Sequence, residues 1–146
     1  MKYSADAANA RQEIQDLTYR LAHYSDTGKT DKISDLFADD GVFDETAVGL
    51  PLSTGRAEIA SFFQGAAGGL QFSAHFVTGH FLTELSETQA KSVCNLLFEC
   101  GLPNGVCVKV IGYMEDSFTR VDGKWLFQSH KLNTFVPPAM SGPSDA

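Results

Sequence analysis

Two side chains in this chain have the types and placing for acid–base chemistry: Asp26 and His75. Ile14, Leu17, Thr18, Leu21, Ala22, Ser25 and Asp26 recur at steps of three and four, which predicts one face of a helix. That helix should run from about Ala7 to Ser25 and stop at Asp26-Thr27-Gly28, where glycine takes the left-handed cap. Asp26 thus ends an apolar stripe, where a charge costs free energy unless it is paired. His75 alternates with Val77, Gly79 and Phe81 on one side of a predicted strand. If that side faces inward, Asp26 can hold one imidazole nitrogen, fix the tautomer, and leave the other nitrogen to act as a general base. A structural reading stands beside this one: Asp26 caps the turn from Thr27 to Lys29, and His75 is a hydrogen-bonded core histidine.

The remaining reactive residue types form no second pattern of comparable strength. His80 lies five residues from His75 and so falls on the opposite face of a regular strand. This excludes a joint metal site there and places His80 at an interface or in a packed hydrogen bond. Gly65, Gly68 and Gly69 follow a helix instead of linking a strand to one, so they are no phosphate loop. Asp39-Asp40-Gly41 reads as a solvated turn. Cys94, Cys100 and Cys107 are odd in number and have no CxxC spacing, the pattern of buried thiols in a reducing cytosol and not of a disulfide frame or a zinc site. No metal and no cofactor is expected.

The elements that must position the pair fit one domain. The 146 residues are 43% hydrophobic and 20% charged, an ordinary globular balance. Eleven basic against eighteen acidic side chains give a net charge of −7 with no basic cluster, a poor match to nucleic acid. No apolar run approaches the roughly 20 residues of a membrane-spanning helix, and the opening MKYSADAANARQE has no apolar signal core. After the first helix, Ile33, Leu36 and Phe37 suggest a short second helix capped by Thr30 or Asp31, and Ile59, Phe62 and Phe63 a third over Ala57 to Gln64. Val42 to Thr46 reads as a strand. Four long antiparallel strands follow at about 71–85, 89–100, 106–121 and 124–135, joined at Ser86-Glu87, Pro103-Asn104-Gly105 and Asp122-Gly123. Residues 1–136 make the domain and residues 137–146 a mobile tail. In the second long strand Cys94, Leu96, Phe98 and Cys100 share the inward face; in the third, Val110 and Met114 do. In the last strand, Leu126, Gln128, His130 and Leu132 alternate with Trp125, Phe127, Ser129 and Lys131. Neither set is purely apolar, and a long sheet with apolar residues on both faces points to an outer face covered by a second copy of the chain.

Four segments carry a family resemblance: IQDLTYRLAHYSDTGKTDKISDLFADDGVFDE, STGRAEIASFF, SAHFVTGH and YMEDSFTRVDGKWLFQSHKL. In this order, over about residues 12–135, they resemble SnoaL-like domains of the nuclear transport factor 2-like superfamily. The resemblance implies an α+β cone: a curved, mixed or antiparallel sheet with about three N-terminal helices around a pocket, commonly dimeric. Among its members the pattern is most similar to scytalone dehydratase and hexachlorocyclohexane dehydrochlorinase, whose Asp–His dyad falls on Asp26 and His75. The dehydrochlorinase arginine of the last strand is replaced by His130. Tyr24 stands where a dehydratase hydroxyl would, or packs in the core. Ketosteroid isomerases are also similar over LFADDGVFDETAVG, with Glu45 or Asp44 as proton shuttle, but their oxyanion tyrosine aligns with Leu21.

The expectation is therefore a cytoplasmic, cofactor-independent lyase. His75, oriented by Asp26, would take a proton from carbon while water or halide leaves. Tyr24, Phe43, Leu96, Phe98, Val110, Met114 and His130 would bind a small hydrophobic cyclic substrate. A non-catalytic ligand-binding or assembly protein on the same fold is the alternative, since fold does not fix function.

Overall fold

The computed structural model describes residues 4–66 and 68–143. Helix α1 (Ala5–Asp26) starts where the Ser4 side chain accepts the Ala7 N–H, and it buries Ile14, Leu17, Thr18 and Leu21, the stripe that the spacing predicts. The expected second helix is instead two 3₁₀ turns, Thr30–Lys32 and Ser34–Leu36. With only three residues each they set Ile33 and Phe37 into the core and pass directly into strand β1 (Phe37–Asp44). Asp39-Asp40-Gly41 is not a free turn but lies within β1, where the register against its neighbour shifts between Phe37 and Val42. A 3₁₀ turn, Thr46–Val48, leads to β2 (Ser53–Thr54), which pairs back on Val42 and Phe43. Helix α2 (Arg56–Ala66) then buries Ile59 and Phe63.

The long strands are β3 (Phe72–Leu85), β4 (Gln89–Gly101), β5 (Cys107–Val121) and β6 (Lys124–Thr134). They form a sheet in the order β2-β1-β6-β5-β4-β3, antiparallel except for the parallel pair β1 and β6. Part of the expected tail is a strand: β7 (Ala139–Ser141) pairs with Cys107–Lys109 of β5. Residues 144–146 lie outside the described residues.

The closed cone is not what the chain forms. The sheet is open and not strongly curled. Its terminal strands, β2 and β3, do not pair with each other. Closure needs hydrogen bonding along matched edges, and a two-residue β2 cannot match a fourteen-residue β3. Instead, one face of the open sheet is covered by α1 and α2. Ile14, Leu17 and Leu21 of α1 and Ile59 and Phe63 of α2 pack with Phe37, Phe43, Phe118, Trp125 and Phe127.

Two bulges decide which side chains reach that inner face. On β3, Thr78 pairs with Asn95 but Phe81 with Val93, so one extra residue is inserted at Gly79, whose φ is +64°. On β6, Ser129 pairs with Ser117 but Phe127 with Phe118, an insertion at Gln128. Each insertion reverses the alternation beyond it. His130 and Leu132 therefore share the inner face with Phe127 and Trp125, which explains why both alternating sets of the last strand contain apolar residues. Gly112 permits the close approach of β5 to β6: a Cβ there would collide with the Asn133 carbonyl.

Candidate active site

Asp26 is the last residue of α1, and β3 runs beside that helix end. Three groups of β3 donate to its carboxylate. The His75 ring Nδ1 lies 2.6 Å from Oδ1, the Ser73 hydroxyl 2.9 Å from Oδ1, and the His75 backbone N–H 2.8 Å from Oδ2. Ser73 shares the inner face with His75 by the period-two rule, a signal present in the sequence but not used there. The dyad side chains are 19% and 20% exposed, sheltered yet reachable. Burial alone would raise the Asp26 pKa, but the side-chain and backbone hydrogen bonds from His75, its charge, and the Ser73 hydroxyl outweigh it and hold it below the usual carboxylate value. With Nδ1–H donating to Asp26, Nε2 is the nitrogen left to accept a proton.

The dyad lines a cleft of about 380 Å³ between α1 and β3, with Tyr19, Ala22, His23 and Val77 among its walls. Tyr19 and His23 escaped the sequence reading. They lie seven and three residues before Asp26 on α1, a spacing that puts all three along one flank of the helix.

The other expected site residues divide into two groups. Phe98 reaches the dyad, its ring 4.6 Å from that of His75. Leu96, Val110 and Met114 form a buried apolar patch with Cys94 and Leu132, against which Phe98 and Val77 pack. Tyr24 and Phe43 belong to the helix-covered core instead; the Lys32 ammonium sits 5.8 Å over the Tyr24 ring. Leu21, at the isomerase tyrosine position, is buried in the same core. Asp44 accepts the N–H and hydroxyl of Thr46 at the surface, which lowers its pKa.

His130 is completely enclosed and has no free nitrogen. Nδ1 lies 2.9 Å from Asp116 and Nε2 3.0 Å from Glu45, while the Phe43 ring stacks at 5.0 Å. Both partners are carboxylates, so both ring nitrogens donate and the ring is an imidazolium. Burial opposes that charge, but the charge and hydrogen bond of Asp116, then those of Glu45, raise the pKa to about 10. The last strand thus carries a cation whose two donors are both engaged by carboxylates.

The bulge at Gly79 also corrects the expected placing of His80. It turns His80 to the inner face, the same face as His75, with Nε2 3.3 Å from the Thr18 hydroxyl on α1. Burial lowers its pKa and the nearby Asp116 charge partly offsets this. All three cysteines are free thiols; burial, then the Asp116 charge, pushes Cys94 up to about 12. Among the described residues no group of three or more His, Cys, Asp or Glu side chains is placed to hold a metal ion. No helix of the described residues is long and apolar enough to cross a membrane.

A SnoaL-like domain family model matches residues 6–131. The chain belongs to the SnoaL-like domain family. No curated protein sequence matches it. Among solved structures, a provisionally assigned aromatic ring hydroxylase from Novosphingobium aromaticivorans is 26% identical and superposes with a TM-score of 0.84 over 90% of this chain and 92% of that one. A type 2 hexachlorocyclohexane dehydrochlorinase, LinA, is 18% identical with a TM-score of 0.83 over 97% and 95% of the two chains. A provisionally assigned scytalone dehydratase from N. aromaticivorans is 19% identical with a TM-score of 0.77 over 92% and 89%. At these last two identities the likeness is one of fold. In this SnoaL-like chain the inner face thus carries two histidine–carboxylate groups, one at the β3 edge and one over β6.

The enclosed imidazolium makes stability depend on pH. The His130 pKa is about 10 in the fold against 6.5 for an unperturbed histidine. Its contribution is complete below pH 6.5 and is lost as pH rises towards 10, by up to about 1.4 kcal/mol per unit. Urea unfolding should show this decline between those values in the wild type, and His130→Asn should remove that component.

Proposed function

We propose that this protein is a cofactor-independent lyase in which His75 Nε2 removes a proton from carbon. The observation that carries this reading is the 2.6 Å contact between His75 Nδ1 and Asp26, at the wall of an open cleft. Asp26 orients the ring and stabilises the imidazolium formed when Nε2 takes the proton. The electron pair of the broken C–H bond forms a double bond to the neighbouring carbon, and the leaving group departs with its own bonding pair, as halide, or as water once the hydroxyl takes a proton back from the His75 imidazolium. The dehydrochlorinase and dehydratase assignments of its structural relatives support elimination over other proton-transfer reactions. General base catalysis of this kind contributes about 10²–10⁴-fold, and positioning in the cleft supplies a further part of the rate.

A panel of small cyclic compounds bearing hydroxyl or halide beside an acidic C–H tests this. His75→Ala and Asp26→Asn should remain folded and lose about 10²–10⁴-fold in kcat/KM. Equal turnover by wild type and His75→Ala overturns the reading.

We also propose that the chain works as a homodimer through the outer face of the sheet. Phe76, Leu97 and Ile111 stand directly opposite one another across β3, β4 and β5. With Phe135, they are 38–61% exposed, a contiguous apolar band of the kind that partner chains cover. Light scattering should give twice the mass of one chain, and Ile111→Glu should give a monomer. A monomeric wild type contradicts the dimer.

A further inference from the structure

The inner face has a second polar end that the elimination reading does not use. Asp116 and Ser92 are directly opposite on β5 and β4, and both are buried. Asp116 Oδ1 receives the His130 hydrogen bond, but Asp116 Oδ2 and the Ser92 hydroxyl have no partner. A buried carboxylate oxygen without a donor is costly, and such groups in native structures call for a ligand, a water or a function. Glu45 presents the outer member of the cluster: one oxygen is held by His130 Nε2, while its side chain keeps 17% exposure.

The position of this cluster relative to the dyad follows from the strand register. His75 faces Phe98, and Phe98 packs on the patch of Leu96, Val110 and Met114. Two residues beyond Met114 on the same face is Asp116, and beside Leu132 of that patch stands His130. Val48, in the turn that follows Glu45, packs on the same patch. An apolar floor therefore separates a proton acceptor at one end from a carboxylate–imidazolium–carboxylate group at the other.

We propose that the Glu45–His130–Asp116 cluster is a binding subsite for a hydrogen-bond-donating substituent of the substrate, an amine or a hydroxyl. The argument is one of valence. His130 has spent both donors within the cluster, and the groups left without a partner are carboxylate oxygens, which only accept, and the Ser92 hydroxyl, which accepts as well as donates. Two carboxylates around one imidazolium leave a net negative charge, which favours ammonium over neutral donors and repels carboxylates. The substrate class is thus a molecule with a reactive C–H at one end and an amine or hydroxyl at the other. His130 acts here as a positioning residue, holding Glu45 in place without touching the ligand.

This rests on the elimination reading only for what happens at the His75 end, and the test separates the two. Cyclohexylamine, cyclohexanol and cyclohexanecarboxylate serve as matched probes, titrated into the full chain and followed by histidine-selective NMR. The amine should bind at least about tenfold more tightly than the carboxylate, with cyclohexanol between them, and should shift the His130 ring signals. Glu45→Gln keeps an acceptor for His130 Nε2 and should remove the preference for the amine; Asp116→Asn provides a second, independent loss of charge and should weaken it in the same direction. Tighter binding of the carboxylate, an amine preference unchanged in Glu45→Gln, or failure of the amine to bind overturns the subsite. A probe that shifts His75 but not His130 overturns the subsite while leaving the dyad intact. Loss of turnover in His75→Ala with the amine preference preserved leaves both standing.

Discussion

The site depends on one compensated carboxylate. Asp26 is placed where a negative charge is least welcome, at the C-terminal end of a helix whose own dipole is negative there and on a face that loses water on folding. Three donors from β3 reverse that balance. Two of them, the Ser73 hydroxyl and the His75 ring, belong to alternate residues on one face, and the third is the His75 backbone N–H. The same contacts fasten the end of α1 to the edge strand of an open sheet, so the interaction that orients the imidazole also fixes one wall of the cleft. The docking of α1 on β3 and the orientation of the His75 ring therefore draw on the same three hydrogen bonds.

The second histidine shows a different solution to a related problem. His130 carries its charge in complete enclosure because carboxylates engage both nitrogens. Breaking such a group by removing one partner costs far more than an exposed pair, since a buried charge is left uncompensated. Asp26–His75 is half open, with a nitrogen to spare; Glu45–His130–Asp116 is closed around its cation, with carboxylate oxygens to spare. The two groups are complementary in what they leave open: a ring nitrogen in one, and carboxylate oxygens in the other.

Much of this was legible in the sequence because the relevant signals are local. The stripe from Ile14 to Asp26 marked the helix and its polar end, and alternation grouped His75 with Val77, Leu96 with Phe98, and Val110 with Met114, while the strand register puts all of them on one face. What escaped is what alternation cannot carry through an inserted residue. The extra residue at Gly79 brought His80 round to the inner face, and that at Gln128 brought Phe127 and His130 to the same side. Gly79 lies within a strand whose register shifts again between Leu82 and Glu84, and Gln128 offers no local mark. Tertiary competition explains the other differences. Ile33 and Phe37 are close enough in sequence for a helix but are pulled into the core by a 3₁₀ path, and the open sheet follows from a β2 too short to meet the β3 edge. Tyr24 packs, half-buried, against the core from the end of α1, and Phe43 is buried within that core.

The central claim is that Asp26 holds His75 with Nε2 free to accept a proton. Nitrogen-15 NMR of histidine-labelled protein reads this directly, since the two ring nitrogens differ in shift according to which carries hydrogen. At neutral pH the account predicts the Nδ1–H tautomer for His75 in the wild type and loss of that fixed tautomer in Asp26→Asn. A fixed Nε2–H tautomer in the wild type, or the same Nδ1–H signal with Asn at position 26, would contradict it.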